Sequence, residues 1–212
     1  MQKELTFYLI RHGRTVWNDQ GLMQGSGNSN LTEEGVQGAI LTGKALAGVP
    51  FIAAYSSCLQ RTIDTANHIL GTRNIPLFQH NGLNEQGFGS WEGQDINLIR
   101  ELNEFKTMLE DPANYKAETN GGETWEQVAE RAMKAIHDIA TIHNHGNILI
   151  VSHGHTIRLL MALFNGATWQ NHRETGRSES MRNTSINIVR YIQDENDIKF
   201  VIEKINDVAH LS

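Results

Sequence analysis

Apolar and polar positions along the chain switch repeatedly between the alternation of strands and the wider spacing of helices. Residues 5–10, 51–55 and 147–151 are rich in β-branched and aromatic side chains, which is typical of buried strands. Residues 186–188 and 199–205 predict two further strands, paired around a polar turn. Strands that alternate with helices indicate an α/β fold. We expect a three-layer α/β/α domain with a mostly parallel central sheet and helices on both faces.

Longer segments carry apolar residues at helical spacing. They are residues 32–47, 59–70, 95–110 and 124–144, with a shorter stretch at 156–164. Thr124 and Gln127 have the spacing of a capping box, which predicts where a long helix begins. Ser57 and Gln60 have the same spacing, which would place Arg61 in the first turn of the next helix.

Two of the predicted strands are followed directly by a histidine and a glycine. Arg11, His12 and Gly13 end the first strand, and His153 and Gly154 follow a strand from the other half of the chain. In open α/β sheets, ligands bind at the carboxyl ends of strands. Glycine lets the backbone approach a ligand closely, and arginine and histidine donors suit an anion, above all phosphate. These residues therefore predict an anion site, although each histidine alone could be a structural residue at a strand end.

Two further segments carry candidate chemistry. Arg61 in a first helical turn opposes the positive end of the helix dipole, which is unfavourable unless an anion binds nearby. The alternative for Arg61 is a surface pair with Asp64 across one turn. The glycine-rich loop 83–93 carries two carboxylates, Glu85 and Glu92, either of which could exchange a proton.

Together these residues resemble the histidine phosphatase superfamily, the phosphoglycerate-mutase-like proteins. The matching segments follow the family's order through most of the chain: residues 11–13, 17–18, 24–25, 31–35, 56–66, 85–93 and 152–158. Residues 88–93, 121–124 and 183–185 favour the broad-specificity phosphatase branch. The cofactor-dependent mutases carry an insertion with a Trp-Arg-Arg motif that grips a second phosphate, and residues 95–118 contain no such motif.

The resemblance implies a metal-independent phosphomonoester hydrolase that acts on small phosphorylated metabolites through a phosphohistidine. His12 would attack phosphorus, because a neutral imidazole is available near pH 7. Arg11, Arg61 and a protonated His153 would stabilise charge on the phosphate oxygens. Glu85, preferred over Glu92, would protonate the leaving oxygen and then activate water. The residues expected to bind phosphate are Arg11, Asn18, Gln24, Gly25, Arg61, His153 and Gly154. No metal and no cofactor is expected.

Two other functions stay open at this point. A phosphoglycerate mutase would form the same phosphohistidine and return the phosphate to another oxygen. A non-catalytic module that binds phosphate or a phosphoprotein could use the same fold. Arg14 stands where the family usually carries a carboxylate or an amide, and it could bind a polyanionic substrate or point to solvent. The polar stretch 166–183, an expected rim over the site, does not identify the substrate.

Length and composition agree with one domain over residues 1–212. The formal charge of -6 argues against nucleic acid or an anionic membrane as a partner. Cys58 is the only cysteine, so no disulfide framework is expected. Since no segment is long and apolar enough to span a bilayer, and no leader is recognisable, we expect a cytoplasmic monomer or homodimer.

Overall fold

The computed structural model describes residues 2–212, which form one six-stranded sheet with helices on both faces. The strands are β1 (Lys3–Arg11), β2 (Phe51–Ser56), β3 (Leu77–Gln79), β4 (His145–Ser152), β5 (Ile186–Gln193) and β6 (Ile198–Asp207). The helices are α1 (Val16–Gln20), α2 (Glu33–Ala45), α3 (Gln60–Leu70), α4 (Ile96–Ile99), α5 (Asn103–Glu110), α6 (Trp125–Ile142) and α7 (Gly154–Phe164). The sheet order is β3-β2-β4-β1-β5-β6. Strands β1 to β4 run parallel to one another, and β5 pairs antiparallel with both of its neighbours, β1 and β6. The predicted α/β class with a mostly parallel sheet is confirmed.

Alternating side chains of β1 pack on opposite faces of the sheet. Leu5, Phe7 and Leu9 are fully buried in a cluster that α6 and α7 complete. Ile10 lies on the other face, in a cluster with residues of α2 and α3. A strand buried on both faces carries a nearly continuous apolar run, which explains the composition of β1 and β4.

The register of β1 and β4 brings the two predicted histidines together. The strands are parallel neighbours with Arg11 opposite Ser152. The backbone N–H of His12 extends this ladder by donating to the Ser152 carbonyl at 3.0 Å. His12 and His153 therefore leave the sheet at the same edge, and their ring centroids lie 5.2 Å apart.

The predicted start of α6 is confirmed. The backbone N–H of Gln127 donates to Thr124 Oγ1 at 3.3 Å, and that of Thr124 donates to Gln127 Oε1 at 2.9 Å. The prediction of one helix over 95–110 is wrong. Leu102 takes an extended conformation, φ -72° and ψ 137°, and separates α4 from α5.

A third apolar cluster packs α4 and α5 against α6 and α7. Trp91 and Phe105 pack with ring centroids 5.9 Å apart, and both belong to a buried group with Tyr115 and Trp125. The Trp125 indole N–H donates to the Met108 carbonyl at 2.8 Å. This cluster positions the segment that covers one side of the candidate site.

Candidate active site

His12 follows β1 and is almost fully buried. Its Nδ1 lies 2.7 Å from the carbonyl oxygen of Gly13. Since a carbonyl only accepts, Nδ1 carries the ring proton and Nε2 keeps its lone pair. Burial, followed by the cations Arg11 and Arg61, holds the pKa of His12 well below its usual value, against the effect of the Gly13 bond. His12 is therefore neutral near pH 7, with the lone pair on Nε2.

The backbone beside His12 is clamped from two sides. The N–H of Gly13 donates to Thr65 Oγ1 on α3 at 2.9 Å. A Cβ on Gly13 would lie 2.5 Å from the carbonyl oxygen of Gly35 on α2, so no side chain fits there. Two helices thus fix the position of the imidazole.

His153 is held by a short chain of hydroxyl groups. Its Nε2 lies 2.8 Å from Ser57 Oγ. The Thr62 hydroxyl donates to the Leu59 carbonyl at 2.9 Å, so it accepts the Ser57 proton at 2.6 Å. Ser57 Oγ therefore accepts from the Nε2–H of His153. Burial, followed by the cation Arg61, holds the pKa of His153 well below its usual value.

The predicted capping box of Ser57 and Gln60 is wrong. Helix α3 begins at Gln60 without a side-chain cap, because the Ser57 hydroxyl is engaged with His153. The Gln60 side chain donates instead to Asp64 Oδ1 at 2.8 Å. Arg61 still lies in the first turn, as predicted, and makes no pair with Asp64.

Arg61 points inward and ties a loop to α3. It is 1% exposed, its Nη2 donates to the Gly25 carbonyl at 2.7 Å, and its Nη1 donates to the Gly27 carbonyl. Burial lowers the pKa of Arg61 to about 10, while the Glu85 carboxylate opposes that shift. Arg61 remains a cation near pH 7.

Several polar atoms around His12 are buried without a partner among residues 2–212. They are Nε of Arg11, Nε of Arg61 and Nδ1 of His153. Arg11 makes one bond with its guanidinium group, from Nη1 to the Met181 carbonyl at 2.7 Å. Because most buried polar groups in proteins are hydrogen-bonded, the two free guanidinium N–H groups point to a ligand with acceptor oxygens. Nδ1 of His153 could donate to the same ligand only once its ring is protonated.

Glu85 lies at the N-terminus of α7. Its Oε1 accepts from the backbone N–H of Gln86 at 3.0 Å and from the N–H and hydroxyl of Thr156, both at 3.1 Å. Its Oε2 accepts from the backbone N–H of His155 at 3.0 Å. Glu85 thus caps a helix and also lines the cavity that contains His12.

Glu92, the other carboxylate considered, has a different position. Its Oε2 accepts from the backbone N–H groups of Ser26 at 2.7 Å and Phe88 at 2.9 Å. It lines a separate groove of about 730 Å³, away from His12. Glu92 therefore holds two loops together, and the geometry favours Glu85 for proton transfer.

The remaining predicted phosphate-binding residues line the same cavity as His12. They are Asn18, Gln24, Gly25 and Gly154. Gly25 has φ +55°, and a Cβ there would collide with the Glu92 carboxylate, so the site requires glycine. A Cβ on Gly154 would lie 3.3 Å from Nε of Arg11, so this glycine gives the guanidinium its space.

The cavity has a volume of about 330 Å³ and two parts that differ in origin. The phosphate end consists of Arg11, His12 and Arg61, with His153 in contact with His12. The second wall consists of four polar residues and several apolar ones. The polar residues are Arg158, Arg173, His155 and Ser180, and the apolar ones include Leu22, Ile96, Phe105 and Leu109. The sequence motifs identify the first group as site residues. Of the second wall they include Arg158, in the segment 152–158, without assigning it a role.

Four residues around the site were not predicted to contribute: Ser57, Arg158, Arg173 and Asn183. Asn183 donates from Nδ2 to the carbonyl oxygen of His12 at 3.0 Å. Arg158 had a usable signal, because it lies one helical turn after Gly154. Arg173 had none, since it belongs to the irregular rim at 166–183.

Arg14 takes the second of its two expected positions. Its guanidinium pairs with Asp19 and lies 3.8 Å from Glu34, and the side chain is 42% exposed. Arg14 therefore points to solvent and is neutralised by surface carboxylates.

Two features are absent from the described residues 2–212. No three His, Cys, Asp or Glu side chains within 2–212 are grouped so that they could hold a metal ion. No helix in this part of the chain combines the length and apolar character needed to cross a membrane.

Buried cationic groups converge on a neutral imidazole at the carboxyl edge of an α/β sheet, an arrangement that suits a phosphate-like oxyanion. The family described as the Histidine phosphatase superfamily (branch 1) matches residues 7–204. The chain belongs to this superfamily, which confirms the resemblance of its motifs.

Individual relatives include both phosphatases and mutases. A metal-independent phosphoserine phosphatase of Arabidopsis thaliana is 30% identical over 217 residues, covering 100% of this chain and 86% of the relative. A 2,3-bisphosphoglycerate-dependent phosphoglycerate mutase of Bartonella quintana is 34% identical over 166 residues, covering 74% of this chain and 81% of the mutase. The solved structure of Bacillus stearothermophilus YhfR superimposes with a TM-score of 0.88 at 34% identity, covering 98% of this chain and 100% of that one.

Proposed function

We propose that this chain is a metal-independent phosphomonoester hydrolase that acts on a small phosphorylated metabolite through a phosphohistidine intermediate. One observation carries the proposal: a neutral His12 stands beside buried atoms of Arg11, Arg61 and His153 that have no protein partner. Phosphoryl transfer depends mainly on positioned positive charge, which Arg11 and Arg61 supply and which His153 would extend on taking up a proton when phosphate binds.

In the first half-reaction, Nε2 of His12 attacks phosphorus and the bond to the ester oxygen breaks. Arg11 and Arg61 donate to the non-bridging oxygens as charge develops on them. The leaving oxygen takes a proton from the Glu85 carboxyl group. Oε2 suits this exchange, because its one hydrogen bond, from the His155 N–H, leaves it a further lone pair.

In the second half-reaction, water attacks the phosphorus of phosphohistidine and the P–N bond breaks. Glu85, now a carboxylate, takes a proton from the water. Inorganic phosphate leaves, and His12 returns to its neutral form. Each proton that Glu85 gives in the first step is thus recovered in the second.

The test is to trap the intermediate. Rapid quenching of the wild-type protein with a phosphate-labelled ester should yield acid-labile, base-stable protein phosphate. His12→Ala should form none, and its turnover should fall by at least about 10³-fold. His68→Ala, at an exposed position on α3, is the matched control and should behave as wild type. Turnover by His12→Ala within tenfold of wild type would exclude His12 as the nucleophile.

The 34% identity to a phosphoglycerate mutase supports a second candidate function, that of a mutase. A mutase would return the phosphate of the same intermediate to a second hydroxyl group. Incubation with 2,3-bisphosphoglycerate and a monophosphoglycerate separates the two activities, since a hydrolase releases inorganic phosphate and a mutase conserves it. A cytoplasmic location and a monomeric or homodimeric state remain predictions.

A further inference from the structure

We propose that Arg131 is a positioning residue for the proton exchange at Glu85, although it lies outside the cavity that contains His12. This inference rests on the proposed function, because it concerns how the acid of that reaction is held. Its basis is the guanidinium group of Arg131, which binds the main chain of residues 82–85 and lines the separate groove of about 730 Å³.

Arg131 uses all five N–H groups of its guanidinium. It lies on α6, and its Nη1 donates to the carbonyl oxygens of Gly82 at 2.9 Å and Asn84 at 2.8 Å. Its Nη2 donates to the Glu85 carbonyl at 3.0 Å. The two remaining bonds reach the Glu123 carboxylate, from Nε at 2.8 Å and from Nη2 at 2.7 Å. Because the five donors lie in one rigid plane, this side chain fixes both the position and the orientation of the main chain that carries Glu85.

The Glu123 carboxylate orients the guanidinium and is itself fixed to the same loop. Its Oε1 accepts from the backbone N–H of Gly87 at 2.8 Å, and its own N–H donates to the Gly87 carbonyl at 2.8 Å. The Gln86 amide donates to the Glu123 carbonyl at 2.9 Å. Although burial opposes the shift, hydrogen bonds from Arg131 and its charge hold the pKa of Glu123 below its usual value. The residues on both sides of Glu85 are therefore attached to one ionised pair.

Glu85 is thus held at two places by two different helices. Its carboxylate accepts from backbone N–H groups at the start of α7, those of His155 at 3.0 Å and Thr156 at 3.1 Å. Its main chain is fixed to α6 through Arg131. Without the guanidinium the main chain loses these bonds to α6 and can move, so the carboxylate must turn or give up bonds to α7. Either change displaces Oε2, and a displacement of roughly 1 Å at a reacting group can slow a reaction about 100-fold.

Arg131 has no place in the binding of the substrate itself. It is not among the residues that line the cavity with His12, and its side chain faces the separate groove instead. Its loss should therefore slow the chemical step and leave the affinity for substrate nearly unchanged. Only esters whose leaving oxygen needs a proton should be affected.

Two kinds of leaving group provide the first test. Arg131→Gln should lower the single-turnover rate for an alkyl phosphate such as glycerol 3-phosphate by roughly 10- to 100-fold, with the half-saturating concentration within about threefold of wild type. The burst of nitrophenol from nitrophenyl phosphate, and the phosphohistidine trapped with it, should stay within about threefold. Arg131→Lys keeps the charge beside Glu123 and should lose less. Equal losses on both esters in a folded variant would overturn the inference, because they would indicate a structural role alone.

Lys134→Gln is the matched control. Lys134 lies three residues further along α6, lines the same groove and pairs with Asp138 of its own helix at 2.8 Å. Its loss should leave both rates within about twofold of wild type. Thermal unfolding shows whether each variant keeps its fold. If Arg131→Gln does not fold, Arg131→Lys and Glu123→Gln carry the same test, since each weakens the pair and keeps one partner.

A double variant decides whether Arg131 acts through Glu85. In the Glu85→Gln background, Arg131→Gln should change the rate for the alkyl ester by no more than about twofold, because the group that it positions can no longer give a proton. A further loss of roughly tenfold or more in the double variant would overturn the inference, since Arg131 would then act by another route.

These results separate the inference from the function on which it rests. If the wild type hydrolyses no alkyl phosphate and yields no phosphohistidine, or if Glu85→Gln slows both kinds of ester equally, the proposed function is contradicted and the inference falls with it. If Glu85→Gln is selective for the alkyl ester and Arg131→Gln has no effect, only the role of Arg131 is contradicted.

Discussion

At the phosphate end of the cavity the side chains come from the ends of neighbouring strands and the first turn of a helix, whereas the second wall is assembled from distant segments. His12 and His153 are each one residue beyond a strand, and Arg61 is the second residue of α3. Arg158 is on α7, and Arg173 is on an irregular loop. The first arrangement follows from sheet topology, and the second depends on how α7 and an irregular loop pack together.

Because of this difference, we expect the phosphate end and the second wall to have different roles. The phosphate end is attached to β1 and β4, the two central strands of the sheet, so its geometry should not depend on the organic part of the substrate. Under the proposed function the second wall would contact the organic part of the substrate, and its residues lie outside the strands of the sheet. We therefore expect substitutions at the phosphate end to slow all substrates alike, and those at the second wall to change their ranking.

The largest effect that tests this difference concerns Glu85, which in the proposed mechanism gives its proton to the leaving group and does not bind the phosphate. Glu85→Gln should slow phosphoryl transfer from alkyl phosphates by roughly 10²- to 10⁴-fold, because an alkoxide needs its proton early. The burst of nitrophenol from an aryl phosphate should be nearly spared, because nitrophenolate leaves unprotonated. Phosphohistidine should accumulate if Glu85 also activates water, and rapid quenching would measure it.

Glu92→Gln is the matched control for that experiment. It removes a carboxylate that accepts from Ser26 and Phe88, so any loss of activity should be small and equal for both kinds of ester. A leaving-group dependence in Glu92→Gln, or equal losses on both esters in Glu85→Gln, would assign the acid to another residue.

The second effect concerns Arg61 and should not depend on the substrate. Arg61→Lys loses the planar fork that donates to Gly25 and Gly27, and it loses one donor to phosphate. We expect kcat/KM to fall by roughly 10²-fold for alkyl and aryl phosphates alike. Arg14→Lys, at the exposed arginine paired with Asp19, should stay within about twofold of wild type. A strong substrate dependence in Arg61→Lys would remove the distinction between the two ends.

Features that depend on neighbouring residues could be predicted from the sequence, and features that depend on distant residues could not. The start of α6 was predictable because both groups of its capping box, on Thr124 and Gln127, belong to one turn. The same spacing failed at Ser57 because its hydroxyl binds His153, 96 residues away. The break at Leu102 was missed because packing of α4 and α5 against a third apolar cluster outweighs a continuous helical pattern.

The candidate site residues also differ in whether the sequence could predict them. His12 and His153 could be predicted because the end of an apolar strand marks their position. Asn183 could not, because its contact is with a backbone oxygen, that of His12, which no side-chain pattern records. Arg173 could not either, since only folding brings it to Trp125 and His155.

A third, smaller effect should appear in the pH dependence of anion binding. The pKa of His153 is well below its usual value in the free protein because of burial and nearby cations. An oxyanion at Nδ1 should raise that pKa, so binding takes up a proton at intermediate pH. Inhibition by sulfate, whose own charge is constant, should weaken as pH rises through this window, by at most about tenfold per pH unit.

Calorimetry in buffers of different ionisation enthalpy measures the proton uptake directly. His153→Asn should abolish it, and His12→Asn should retain it. Ser57→Ala removes the acceptor of the Nε2–H, so the uptake should shift to lower pH. Sulfate binding that is independent of pH in the wild-type protein would show that His153 does not change its protonation state.

The smallest expected effect is that of chelation. Because positively charged side chains can supply the stabilisation of phosphate oxygens that a divalent ion supplies elsewhere, prolonged dialysis against EDTA should leave kcat unchanged. Turnover is measured before and after dialysis, together with the metal content of the protein. Activity that is lost on dialysis and restored by a divalent ion would contradict the proposed mechanism.

The position of Glu85 at the start of α7 has a consequence for how this chain can evolve. The carboxylate that would exchange the proton also accepts from Thr156 and His155, so its loss leaves backbone donors without a partner, at about 1–3 kcal/mol. His12 makes one side-chain hydrogen bond, to the adjacent Gly13, and few contacts of the fold depend on it. A descendant released from selection for catalysis should therefore lose His12 early and keep Glu85. In such lineages a retained glutamate would record ancestry rather than activity.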